Sequence, residues 1–98
     1  MTVLIMESAP EKLRGELTRW MLETKPGVFV GNISGLVRDK LWKKVCAEIP
    51  VIPALLIHSA SSEQGFHIEM NGDPHRRVIN MEGLQLIKVM EDNNDNND

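Results

Sequence analysis

Five cations in this chain stand where they could hold an anion: Lys12 and Arg14 just after Pro10, Arg38 shortly after Ser34, and Arg76 with Arg77 after Gly72-Asp-Pro. Arginine's planar fork meets two phosphate oxygens at once, and the free amide groups of a helix start favour negative charge. Basic residues near two expected helix starts therefore make a candidate cradle for a nucleic-acid backbone. The competing reading is a solvated surface with charges of both signs. Nothing in the pattern suits the reading of base edges, so binding through these residues would be indifferent to sequence and steeply salt-dependent. Lys40, Lys43 and Lys44 are accounted for as the wet side of a helix.

Glu7, with Ser8 beside it at the exit of the first expected strand, is the candidate carboxylate for a magnesium-dependent nuclease centre. Such hydrolysis needs hard oxygen ligands converging on the scissile phosphate. No second acid is obviously paired with Glu7. In a symmetric dimer its two copies could meet across the axis; otherwise it is a loop carboxylate. His58, His67 and His75 show no spacing typical of a zinc site, and His67, alternating with apolar neighbours, is expected to face solvent. Cys46 has no second cysteine to pair with and, between Val45 and Ala47, reads as a buried inert thiol rather than a nucleophile. There is no Gly-rich phosphate loop and no nucleophile elbow.

A chain of 98 residues, 42% hydrophobic and 26% charged, has the composition of one ordinary globular domain with a modest core. No apolar run approaches the roughly 20 residues that span a bilayer. The start, Met-Thr-Val-Leu-Ile-Met-Glu, lacks a basic segment and a cleavage site, so a cytoplasmic location is expected. The net charge of −3 is unevenly spread: Glu91-Asp-Asn-Asn-Asp-Asn-Asn-Asp98 holds four of the 14 acids, leaving residues 1–90 with 11 bases against 10 acids. A near-neutral body over 1–90 can still carry a basic stripe, while 91–98 has nothing apolar to bury and is expected to be a disordered acidic tail.

The elements that must position these residues are organised around Pro26-Gly-Val-Phe-Val-Gly-Asn-Ile-Ser-Gly35. Pro26-Gly27 ends what precedes it, Val28-Phe-Val30 suits a buried strand, and Gly31-Asn32 tolerate positive φ. Ser34 caps a helix over 34–48 whose buried stripe is Val37, Leu41 and Val45. Upstream, Thr2–Met6 reads as a strand. Pro10 then opens a helix with Leu13, Leu17, Trp20 and Met21 on one face. Gly15 inside that helix implies a close approach by backbone or by a bound phosphate. Downstream, Ile49-Pro-Val-Ile-Pro53 is an extended connector. Ala54–Ser59 and Phe66–Met70 form a hairpin, 76–80 a short extended piece, and Leu84–Met90 a last strand after a turn at Glu82-Gly83. Helices between strands, followed by a hairpin, predict an α+β ferredoxin-like domain, βαββαβ, with a mainly antiparallel sheet and short C-terminal strands. The final strands could instead leave the body and pair with another chain.

Several blocks together resemble the type I-E subfamily of the CRISPR-associated protein 2 family, the small adaptation proteins. They are Glu7-Ser-Ala-Pro-Glu-Lys-Leu-Arg-Gly-Glu-Leu17, Trp20-Met-Leu-Glu23, Pro26–Ser34 with Arg38 and Trp42, Gln64-Gly-Phe66, Arg76-Arg77 and Glu82-Gly-Leu84. The resemblance implies a ferredoxin-like homodimer between two dimers of the CRISPR integrase, a non-catalytic scaffold across which the duplex of a prospacer lies. It implies backbone contacts for Lys12, Arg14, Arg38, Arg76 and Arg77, no required cofactor, and an integrase-binding surface after Gly83. Leu36 stands where a basic residue is expected in a close relative, so that contact is lost. Many relatives outside the subfamily are named metal-dependent nucleases and place an aspartate at the end of the first strand. Met6-Glu7 stands there instead, which sets a Mg²⁺ endonuclease as the alternative reading.

Overall fold

The computed structural model describes residues 1–90, so the tail expected to be disordered lies outside the described residues. The elements follow as β1 (Thr2–Met6), α1 (Glu11–Thr18), β2 (Leu22–Lys25), β3 (Val28–Gly31), α2 (Gly35–Cys46), β4 (Ala54–Ser59), β5 (Phe66–Asn71), β6 (Arg76–Met81) and β7 (Leu84–Val89). The first six strands and helices are βαββαβ, and the five-stranded sheet has the order β2-β3-β1-β4-β5 with every pair antiparallel. This is the α+β, ferredoxin-like arrangement, extended by β5 at one edge and by a separate β6–β7 ribbon. No described helix is long and apolar enough to cross a membrane.

Strand alternation divides the sheet into two unlike faces. Leu4 lies opposite Phe29 on one side and Leu56 on the other, and all three are buried against the helices. Leu13 and Leu17 of α1 and Leu41 and Val45 of α2 complete that layer. Phe29, Leu4, Leu17 and Val45 are its most deeply buried large side chains, each worth roughly 1.5–3 kcal/mol relative to exposure. The alternate residues Val3, Ile5, Val28, Val30, Leu55 and Ile57 project to the opposite face, which carries no helix. That face is as apolar as the core face but only partly covered, with Ile5 at 37% and Leu22 at 68% exposure.

The structure changes three local expectations. First, α1 stops at Thr18, and the chain turns into a strand at Leu22 that sequence periodicity does not show. Met21 still reaches the core, but from beyond the helix, while Trp20 is half exposed. Second, the positive φ of the central segment belongs to Gly27, at 83°, and not to Gly31 or Asn32. Pro26-Gly27 is the two-residue turn of the β2–β3 hairpin, with the residue preferences of a type II turn. The Gly27 amide donates to the Glu23 carboxylate at 3.0 Å, and a Cβ on Gly27 would run into the Met6 carbonyl oxygen. Third, Gly15 has open space where a Cβ would stand, so no neighbouring backbone explains it.

Other expectations hold at atomic detail. Ser34 Oγ accepts from the Val37 amide at 3.2 Å as the cap of α2. Pro10 is the residue before the first turn of α1, and its carbonyl accepts from the Arg14 amide at 2.9 Å. At the ribbon tip Glu82 and Gly83 have φ of 52° and 86°, the two positive values of a tight hairpin turn. The ribbon is tied to the β4–β5 hairpin by two glutamines: Gln64, just before β5, donates to the Gln85 carbonyl and accepts from the Gln85 amide, both at 2.9 Å. The Gln85 side chain accepts from the Ile68 amide at 2.8 Å and donates to the Ile68 carbonyl at 3.1 Å, so its amide stands in for a neighbouring strand.

Candidate nucleic-acid interface

The five cations singled out from the sequence do not form one patch on a single chain. The start of α1 meets the end of α2: Lys12, Leu13 and Glu16 line a hollow with Lys44, Ala47 and Glu48, and Lys44 pairs with Glu16 at 3.1 Å. The helices are therefore antiparallel, and their two N-termini lie at opposite ends of the helix layer. That separation is about 18 Å along α2 for its 12 residues. Lys12 and Arg14 sit at the end where β1 leaves the sheet, and Arg38 sits at the other.

Each cation has its own surroundings. Lys12 is exposed. Arg14 lies beside the β2–β3 turn with its Nε 3.2 Å from the Glu23 carboxylate, close enough to pair but without hydrogen-bond alignment. Arg38 is the least exposed: its Nε donates to Asp39 at 3.3 Å and its Nη1 lies 3.2 Å from His58 Nδ1. Arg76 and Arg77 are neighbours in β6 and so leave it on opposite faces. Arg76 is 3.9 Å from Asp73, a loose pairing, at the rim of a hollow of about 450 Å³ between the ribbon and β5. Leu36 is 75% exposed on the first turn of α2, beside Trp20 and Lys40.

Sequence reading missed one basic residue. Lys88 lies directly opposite Arg77 in the β6–β7 register, and both are exposed. Like charges facing each other across a ladder repel. Neither takes part in an ion pair among the described residues. A bridging anion would relieve that repulsion, and a phosphodiester oxygen is such an anion.

Glu7 is exposed at the exit of β1 and lines a hollow of about 170 Å³ that also contains Asp73 and Arg76. Asp73 is a neighbouring acid that the sequence did not reveal. It is already engaged: one oxygen accepts from the His75 amide at 2.8 Å and the other faces Arg76. Glu7 and Asp73 do not form a metal-ligating group of three among the described residues.

The residues matched by one protein family bring these observations together. Residues 1–86 match the family described as CRISPR-associated protein (Cas_Cas2CT1978). The chain belongs to this family. Membership gives it a role in a CRISPR system, and the match takes in the ferredoxin-like body, Glu7 and all five cations picked out by sequence. Lys88, at the end of the ribbon, lies just beyond the matched span.

This CRISPR-associated chain also brings together three potential metal-ligating groups that linear spacing conceals. His58 and His67 face each other across β4 and β5, and one ligand atom from each, together with one from Glu69, lie within 4.8 Å of one another. His67 is exposed, as its alternation indicated, yet it is not isolated. Cys46, expected to be buried, is only half-buried, near Glu69. Burial, then the Glu69 charge, push its thiol above its ordinary value, which fits an inert thiol.

Proposed function

We propose that this chain is the non-catalytic, dimeric scaffold of a CRISPR spacer-acquisition complex of type I-E. In this reading two copies pack their helix-free sheet faces together, and prospacer duplex lies across the pair, held by its phosphates. Dimers of the CRISPR integrase bind at the two ends and perform the transesterification. Family membership supports the CRISPR setting, and the ordered blocks from Glu7 to Leu84 support the subfamily. The partly covered face with Ile5 and Leu22, and exposed Met81, Leu84 and Val89 on the ribbon, support association with a second copy. Lys12, Arg14, Arg38, Arg76 and Arg77 are the phosphate contacts of this reading, joined by Lys88. Their spread over two ends of the helix layer suits a long rod of regularly spaced phosphates better than a compact ligand. The scaffold role requires no cofactor.

The observation that carries the scaffold reading is the chemistry around Glu7. Hydrolysis assisted by Mg²⁺ calls for several free oxygen ligands at one point. Here the neighbouring Asp73 is held by an amide and faces Arg76. A second reading, a Mg²⁺-dependent endonuclease, has one observation in its favour: Glu7 and Arg76, a carboxylate and a phosphate-matching cation, line one hollow. Glu7→Gln decides between them in an assay with the purified chain, its integrase and a prospacer duplex. A scaffold keeps supporting integration at the parent rate. Loss of integration together with loss of a Mg²⁺-dependent nicking activity would reverse the assignment.

A further inference from the structure

On the helix side of the sheet, near the tip of the β4–β5 hairpin, stand three side chains that the scaffold reading does not use. His58 and His67 are register partners, and Glu69, two residues after His67, projects from the same face. This cross-strand pattern puts three ligands on one side of a sheet without any short linear motif. The two rings have centroids 5.3 Å apart and planes inclined by 48°, so they are not stacked face to face. A tetrahedral ion with bonds near 2.0–2.1 Å needs ligand atoms roughly 3.3 Å apart. The ligand atoms lie within 4.8 Å of one another, so gathering them takes shifts of about 1 Å or less at each side chain. Exposed His67 and half-buried Glu69 can make such shifts by rotamer adjustment.

The surroundings hold support for a cation at this point and one competitor. His58 Nδ1 lies 3.0 Å from the Ser59 carbonyl oxygen. With its proton donated there, the ring is fixed and Nε2 keeps its lone pair for a metal, the outer-shell support common to ligating histidines. Glu69 has no hydrogen bond or ion pair among the described residues. Its charge is felt by Cys46. The one competing group is Arg38, whose Nη1 lies 3.2 Å from the same His58 Nδ1. A protonated Nδ1 cannot accept from Arg38, so a bound cation and the Arg38 contact exclude each other.

We propose that His58, His67 and Glu69 bind one divalent transition-metal ion of the zinc class per chain, with water completing the coordination. Two imidazoles and a carboxylate suit Zn²⁺, Co²⁺, Ni²⁺ or Cu²⁺ and are a poor set for Mg²⁺ or Ca²⁺, which take oxygen ligands. The site ties β4 to β5, and its occupation would release from His58 the Arg38 side chain that the scaffold reading assigns to phosphate. Tag-free, chelator-treated full-length protein titrated with Co²⁺ provides the test. The expected result is one equivalent per chain with the visible absorption of a four- or five-coordinate nitrogen–oxygen site, bleached by Zn²⁺. His67→Ala, at an exposed position, weakens Co²⁺ binding at least tenfold. His75→Ala, in the connection between β5 and β6, leaves it unchanged. Absence of saturable Co²⁺ absorption, parent-like binding by His67→Ala, or loss of binding in His75→Ala each overturns the proposal. Duplex affinity is not part of the readout, so any of these results leaves the scaffold reading standing.

Discussion

Replacing Arg77 and Lys88 together by threonine should move stability and DNA binding in opposite directions. The two side chains are register partners on an exposed ribbon, unpaired with any acid among the described residues. Removing a directly opposed like-charge pair is neutral or stabilising by about 0.2–1 kcal/mol, and threonine keeps a β-favourable residue at both positions. If both residues bind phosphates, each lost contact removes about 0.9 from the slope of log affinity against log salt. That is a change of about 1.8 per chain and about 3.6 for a two-fold pair. The assay is fluorescence anisotropy of a labelled duplex with the chain and its integrase at four salt concentrations, alongside a denaturant melt of the chain alone. Two results would refute the reasoning. A parent-like salt slope in a folded variant removes these residues from the interface. A clear loss of stability shows that the pair is not repulsive, and the argument for a bridging anion goes with it.

Gly15→Ala should stabilise the chain by about 0.8–1 kcal/mol, because alanine is the better helix former and its methyl group meets nothing within 4 Å. A denaturant midpoint below the parent's would show that the space beside α1 is not free. Cys46 should be alkylated by iodoacetamide with a pH midpoint above that of a free cysteine, since burial first and Glu69 second both oppose the thiolate. The sign for stability follows: the folded state holds this proton more tightly, so the contribution is intact below the unfolded pKa and is lost as pH rises through the folded one. Glu69→Gln should lower the alkylation midpoint toward the ordinary thiol range, and an unchanged midpoint in that variant would remove the carboxylate as a cause.

What could be read from the chain was whatever a short window determines. Thr2–Met6 and Ala54–Ser59 are short apolar runs that mark strands, each buried on one face, and Ser34 before Val37 and Leu41 marks a helix start from its own neighbours. The second strand escaped for the opposite reason. Leu22-Glu-Thr-Lys25 is a polar edge strand with one side in water, and its neighbours Trp20 and Met21 continue the helical spacing of Leu13 and Leu17 by coincidence. Only the Pro26-Gly27 turn, folding that segment back on Val28, makes it a strand. Its pairing decides the topology, since without it the pattern lacks one of the four strands of βαββαβ.

The same distinction separates the two parts of the surface chemistry. Arg77 facing Lys88 follows from the turn alone: Glu82-Gly83 admits a two-residue hairpin, which fixes Met81 opposite Leu84 and counts outward to the pair. That contact was within reach of the sequence. His58 facing His67 was not, because the connection from Ala60 to Gly65 is six residues long and such a loop is compatible with more than one register. A slip of one residue would send His67 and Glu69 to the helix-free face and leave His58 alone among the helices. The register is held by contacts remote in sequence, Gln85 on both backbone groups of Ile68 and Leu56 in the core across from Leu4. The three ligands are therefore a product of tertiary structure, and a substitution at Gln85 that loosens the register should disperse them without touching any ligand.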